Sequence, residues 1–282
     1  MTAGDGGHHT KLFRLQASDP LRTEFRIVSP RAVAELLLLT TAEIEALPRE
    51  QTELLLPCGA VEAHGPHLGL GADLIISRGL ARRVAPMLER RGYRAVILPP
   101  LIYSVADFGA DFDGTLGIAS ATEQALVGEL LEALALQRFR HLLVINSHLE
   151  PAHVEALQAA IAQAPTAGRL TVAFPDIRRR RLAQLLGAEF RSGACHGGRY
   201  ETSLVLAEEP AAVRDAICRG LAPLDVNLAG AIRRGSRSFR AAGLEQAYCG
   251  DPAAASAAEG ELLFEALAVI HLQAALETLP VG

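Results

Sequence analysis

The chain has 282 residues, half of them hydrophobic, which is enough to bury a sizeable core as one domain. Its 27 basic and 32 acidic side chains leave a net charge of -5, giving no electrostatic basis for binding nucleic acid or an anionic membrane. Four scattered cysteines, Cys58, Cys195, Cys218 and Cys249, form no CxxC pair, which argues against a disulfide framework or a structural zinc and fits a reducing, cytoplasmic setting.

Residues 1–28 are Gly-rich and polar and lack the basic-then-apolar order of a secretory signal. They read as a flexible arm ahead of one domain over 29–282. No apolar run reaches the ~18–20 residues that a membrane span needs. Residues 40–47 have helical composition, with Thr40 or Thr41 as N-cap and Glu43 near the capping-box position. A buried strand is expected at 53–58, a helix at 74–91 ended by Gly92, and a strand at 94–98. The long connection over 101–119 is expected to be functional, with Tyr103, Ser104, Phe108 and Asp111 as candidates to line a pocket. Ser120 is expected to cap a helix over 121–137, followed by a strand at 141–146, a helix at 154–164 and a strand at 170–174. Helices are expected at 179–187, 199–208 and 253–277. The run Arg178 to Arg181 reads as a solvated turn at a helix start, with a phosphate-binding patch as the alternative. On the last helix Leu263, Leu267, Ile270 and Ala274 share a stripe that fits either a dimer face or the subunit core.

Alternating strands and helices predict an α/β domain with a mainly parallel sheet covered on both faces. In such folds ligands bind beyond the carboxyl ends of the strands, and two ligand-rich segments fall there. The first is Glu62-Ala-His64-Gly-Pro-His67, with Asp73 shortly after; the second is Asn146-Ser-His148-Leu-Glu150. In extended backbone, residues i and i+2 point to one side, so each segment can present a carboxylate with an imidazole. This donor set without thiolate suits zinc, manganese or iron, and a shared carboxylate can hold two ions about 3.5–4 Å apart. No GxGxxG or GxxxxGK[ST] element points to a dinucleotide or P-loop enzyme.

These motifs, together with His196-Gly-Gly-Arg-Tyr-Glu201-Thr-Ser, Phe112-Asp-Gly114-Thr115 and Gly250-Asp-Pro, resemble those of the creatininase (creatinine amidohydrolase) family from about residue 40 onward. The resemblance implies a Rossmann-like three-layer α/β/α subunit, two divalent metal ions, and a homo-oligomer, often a hexamer. It implies a metal-dependent amidohydrolase that cleaves a C–N bond of a small cyclic amide, formamide or related substrate with a metal-activated hydroxide. Glu62 and His148 would hold one metal, His64 and Glu150 the other, and Asp73 would bridge them. His196 would carry a proton to the leaving nitrogen, and Glu201 would either orient His196 or replace Glu150 as a ligand. His67 would fix the loop or a ligand carboxylate. The partner expected is a small-molecule substrate, with no nucleic acid and no membrane.

Two departures bear on the substrate. The chain has no tryptophan, and Cys195 precedes His196 where creatininase carries an acidic residue, so creatinine itself is disfavoured. A metallopeptidase acting on a modified-peptide precursor is the alternative, and a non-catalytic, metal-stabilised assembly protein a further one.

Overall fold

The computed structural model describes residues 33–164 and 169–280, so the arm expected over residues 1–28 lies outside the described residues. Five strands form one sheet: β1 (Ala34–Glu35), β2 (Thr52–Cys58), β3 (Arg94–Ile97), β4 (His141–Asn146) and β5 (Thr171–Ala173). Their order is β1-β3-β2-β4-β5 and every pairing is parallel. β2 and β4 lie side by side at the centre, with Leu54 opposite Leu142 and Cys58 opposite Asn146, and every residue of both is buried. Continuous apolar runs such as Leu-Leu-Leu in β2 and Leu-Leu-Val-Ile in β4 are what strands covered on both faces require.

The helices, in chain order, are α1 (Thr41–Glu45), α2 (Ala72–Glu89), α3 (Ser120–Leu136), α4 (Pro151–Gln163), α5 (Arg180–Ala183), α6 (Gly187–Ser192), α7 (Arg199–Glu208), α8 (Asp215–Cys218), α9 (Leu228–Arg233) and α10 (Ala257–Leu276). Successive strand residues feed opposite layers, as the pleat dictates. Leu55, Ile97, Leu143 and Ile145 pack with α2, α7 and α10 on one face. Leu54, Leu56, Val96, Leu142 and Val144 pack with α3 and α4 on the other. The result is the three-layer α/β/α arrangement. The stripe of Leu263, Leu267 and Ile270 on α10 is buried in the first of these layers, with Ala274 packed against it, so it faces the core.

Several boundaries differ from the sequence expectation for identifiable reasons. Thr40 caps α1 in a full capping box with Glu43. Ser120 is instead the first residue of α3 rather than its cap, and its hydroxyl accepts from the Gln124 amide at 3.1 Å. The helix expected over 179–187 is two short ones, interrupted at Gly187, whose φ of 86° no helix interior accepts. α10 starts at Ala257 because Pro252–Ala254 form a separate 3-10 turn and Ser256 accepts from the Glu259 amide. Among the described residues no helix is long and apolar enough to cross a membrane.

β2 and β4 are neighbours, yet the helix after β2, α2, covers one face and the helix after β4, α4, covers the other. The chain therefore diverges at their carboxyl ends and leaves a crevice, the topological switch point at which α/β proteins bind ligands.

Candidate metal centre

Glu62 and His64 follow β2, His148 and Glu150 follow β4, and Asp73 sits in the first turn of α2. All five are buried, and so are His196 and Glu201. Gly59 makes the approach of β2 to α2 possible, since a Cβ there would stand 2.8 Å from the Asp73 Cβ. The positive end of α2 favours the Asp73 carboxylate.

Asp73 lies between the two histidines. Its Oδ1 is 3.4 Å from His64 Nε2 and its Oδ2 is 3.2 Å from His148 Nδ1. Glu62 Oε2 is 3.4 Å from His148 Nδ1, and Glu201 Oε2 is 3.6 Å from His64 Nε2. Each ring is oriented by a carbonyl behind it. His64 Nδ1 donates to Glu62 O at 3.0 Å, and His148 Nε2 donates to Val105 O at 2.8 Å. Both rings then aim their remaining nitrogen at Asp73. This is the arrangement by which outer contacts fix the tautomer of a metal-binding imidazole.

Three of the carboxylate oxygens lack hydrogen-bond partners. Glu62 Oε1 and both Asp73 oxygens are buried without a hydrogen-bond partner. A buried carboxylate left in that state is costly unless a cation meets it. Burial pushes Glu62 up to about 7 and Glu201 up to about 8. Burial also works against charge on the histidines and on Asp73. It is outweighed at His64 by Asp73, Glu201 and Glu62, and at His148 by Glu62, Asp73 and Glu150, so that each ring is raised to about 10. The same two rings hold the Asp73 carboxyl well below the usual carboxylate range. Three carboxylates around two imidazoles form an environment that draws positive charge, and the donor set fits divalent ions.

Glu150 is placed differently from the sequence expectation. Its Oε2 is 3.9 Å from His148 Nε2, on the Val105 side of the ring, and its oxygens accept from the Asp107 and Phe108 amides at 3.1 and 3.2 Å. It groups with Glu62 and His148, whereas Glu201 groups with His64 and Asp73. Glu201 also accepts from the Gly197 amide at 2.7 Å. His196 donates from Nε2 to Ala63 O at 2.9 Å and stacks on Phe239 with ring centroids 4.0 Å apart. Burial, then the neighbouring His64, lowers His196 well below the ordinary histidine range, so it is neutral. His67 contacts Thr202 Oγ1 through Nε2 at 2.9 Å and ties the loop to α7. Burial pushes the Cys195 thiol well above its usual range, which leaves no thiolate to act.

Three further residues stand behind the site, of which only Asn146, in the Asn146-Ser-His148-Leu-Glu150 segment, carries a sequence signal. Asn146 donates from Nδ2 to His148 O at 2.6 Å, so its Oδ1 faces the His148 amide at 3.1 Å and His153 Nε2 at 2.9 Å. His153 Nε2 must therefore be the donor. Its Nδ1 meets Glu123 Oε1 at 2.6 Å, and Glu123 Oε2 accepts from the Val105 amide at 2.8 Å. Val105 in turn carries the carbonyl that orients His148, which closes a buried loop of hydrogen bonds behind the ligand.

The centre forms the floor of a cavity of about 750 Å³. Phe108 lines it, as expected, together with Phe239, Cys195 and a group of arginines. Ser104 is buried behind the site and donates to Gly59 O at 2.7 Å, while Tyr103 is half exposed and neither it nor Asp111 is among the lining residues.

A family model described as creatininase, creatinine amidohydrolase, matches residues 38–274. A mycofactocin precursor peptide peptidase of Mycobacterium ulcerans (strain Agy99) is 30% identical over 239 residues, covering 83% of this chain and 88% of the relative. A creatinine amidohydrolase of Pseudomonas putida is 31% identical over 61% of this chain and 70% of its own length. A crystal structure of creatinine amidohydrolase (creatininase) superposes with a TM-score of 0.67 at 26% identity, covering 89% of this chain and all of the other. A structure described as creatininase Mn gives 0.65 at 27% identity, covering 88% of this chain and 99% of its own. The chain belongs to the creatininase family of metal-dependent amidohydrolases.

Proposed function

We propose that this chain hydrolyses an amide C–N bond in a peptide-sized substrate, using two divalent ions. The carrying observation is the floor of the cavity, where Asp73 faces both His64 and His148 with neither oxygen hydrogen-bonded. Asp73 would bridge the ions, Glu62 and His148 would complete one site, and His64 and Glu201 the other. The assignment prefers Glu201 to Glu150 because Glu201 lies beside His64. Bound there, the ions would lower the pKa of a bound water toward ~7 and polarise the carbonyl oxygen.

The chain's own groups supply the rest. The leaving nitrogen must be protonated as the bond breaks. Glu150, whose carboxyl burial raises above its ordinary range, stands beside the Glu62 and His148 side of the centre and can hold that proton. His196, neutral at rest between His64 and Phe239, is placed to orient the substrate or to relay the proton to the leaving nitrogen. The apolar cluster of Phe108, Phe112, Leu228 and Phe239 shields this side from water.

Substrate size is supported by the cavity. Its roughly 750 Å³ leaves a small lactam or formamide with few walls to touch. No indole is present to close around a flat ring. The peptidase name of the relatives at 30–32% identity points the same way. The test is turnover of short peptides by metal-reconstituted protein, followed by mass spectrometry. Cleavage abolished by a chelator and restored by zinc or manganese supports the reading. Turnover of lactams or formamides alone would replace it with the small-substrate reading, and no turnover of either would favour a metal-stabilised assembly protein.

A further inference from the structure

The outer wall of the cavity is cationic in a chain that is acidic overall. Arg178, Arg179 and Arg180 at the start of α5, Arg191 on α6 and Arg233 at the end of α9 all line it. Arg178 is neutralised by Asp176, through Nε to Oδ1 at 2.9 Å and Nη2 to Oδ2 at 3.1 Å. Arg179, Arg180, Arg191 and Arg233 are exposed, and among the described residues none of them has a carboxylate within ion-pair distance. The other acidic residues of the lining, Glu62, Asp73, Glu150 and Glu201, are buried at the metal centre and engaged there.

With 32 acidic residues in the chain, neighbouring guanidiniums would ordinarily be interleaved with carboxylates. Here three separate elements bring Arg180, Arg191 and Arg233 to one rim with no carboxylate beside them, next to Arg179, which shares the Asp176 charge with Arg178. Like charges gathered this way repel one another, and the repulsion is relieved when an anionic partner enters; the same field attracts that partner from solution. Each guanidinium is a planar fork that fits a carboxylate with two parallel hydrogen bonds.

We propose that Arg179, Arg180, Arg191 and Arg233 form a carboxylate-binding subsite, and that the substrate is an acidic peptide held there while its scissile amide reaches the metal centre. The inference rests on the peptidase reading and adds the substrate's charge. Guanidiniums contributed by α5, α6 and α9 suit several separate carboxylates along an extended segment. On this proposal the run at Arg178 to Arg181, exposed at a helix start as a solvated turn would be, also serves the cavity that three of its members line.

The experiment uses the full, metal-reconstituted chain and two fluorescein-labelled decapeptides, one with four glutamates and the other with glutamines in their place. Binding is read by fluorescence anisotropy at low and at physiological salt, and cleavage by mass spectrometry. The acidic peptide should bind about tenfold or more tighter, with the advantage shrinking as salt rises. Arg180→Gln with Arg233→Gln should erase most of that preference while metal content stays that of the unaltered chain, and Arg180→Lys with Arg233→Lys should restore part of it. Equal affinity for the two peptides, or a preference untouched by the glutamine substitutions, would overturn the proposal. So would displacement of the acidic peptide by inorganic phosphate at concentrations where acetate has no effect, which would assign the rim to a phosphorylated substrate. Binding of the acidic peptide without cleavage would sustain the rim and reject the peptidase reading; cleavage of both peptides alike would do the reverse.

Discussion

At the scale of single residues, the site is defined by which nitrogen or oxygen each side chain turns toward Asp73. If Glu201 completes the second ion's shell, Glu201→Gln should reduce bound metal from about two equivalents to about one; two tightly held equivalents in that variant would return the role to Glu150. The loop through Glu123, His153 and Asn146 gives a sharper test. His153 Nε2 donates to Asn146, and burial, the largest influence on His153, lowers it below the ordinary histidine range and keeps the ring neutral. Its Nδ1 lies 2.6 Å from Glu123 Oε1, so the loop needs a polar partner at residue 123. A glutamine can accept from Val105 and donate to His153, whereas a leucine can do neither. Glu123→Leu should weaken metal affinity by about 10- to 100-fold, while Glu123→Gln stays within a few-fold of the unaltered chain. Calorimetric metal titration decides, and equal losses in both would show that the loop does not position His148. Glu62, His64, His148 and Glu150 could be read from the sequence as candidate ligands because each pair is local, two residues apart past a buried strand, whereas Glu201 on α7 could not be chosen over Glu150 from spacing alone. Glu123 and His153 could not be read at all, because 30 residues separate them and nothing local distinguishes either from a helix-surface residue.

At the scale of elements, long periodic or apolar segments were readable, as were the short strands β3 and β5 and the capped helix α1, whereas β1, α8 and α9 were not. β2, β4, α2, α3, α7 and α10 fall within a few residues of their expected bounds, because their burial patterns repeat over at least one full strand or several helical turns. β1 has two residues and α8 and α9 have four and six, too few for any period to appear. Their positions come from contacts that a linear pattern does not carry. Helix α7, which brings Glu201 into the site, is held by its crossing with α10. There a Cβ on Gly260 would clash with the Ser203 carbonyl oxygen, a backbone atom that cannot swing aside. Gly260→Ala should therefore destabilise the fold by about 1–3 kcal/mol and, by displacing α7, weaken metal binding as well. Unchanged denaturant midpoint and metal affinity in that variant would show that the two helices are free to separate there.

For the molecule as a whole, protonation opposes metal binding and fixes the direction of its pH dependence. His64 and His148, raised to about 10, and Glu62 and Glu201, raised to about 7 and 8, hold protons near neutrality that divalent ions must displace. Apparent metal affinity should rise from pH 6 to pH 8 by about tenfold per pH unit for each proton released. Affinity that is flat over this window would mean that these groups are not ligands. A second, separate effect belongs to the core. Burial lowers His271 on α10 to about 4. A histidine depressed in the folded state adds stability above its unfolded value of ~6.5, and that stability is lost as pH falls toward 4. His271→Gln should make the fall in melting temperature between those limits shallower, the other lowered histidines, His67 among them, keeping part of it. The family resemblance also implies a homo-oligomer, which light scattering on the purified protein would test; the α10 stripe offers no interface for it, being buried in the subunit core.

Metal content per chain, by elemental analysis of protein purified without a His tag, bears most directly on the two-ion centre, with Asp73→Ala measured beside the unaltered chain. About two equivalents in the unaltered chain, falling to one or none in Asp73→Ala with activity lost in step, is the expected result. Two equivalents retained in Asp73→Ala, or none in the unaltered chain after reconstitution with zinc or manganese, would contradict a centre bridged by Asp73.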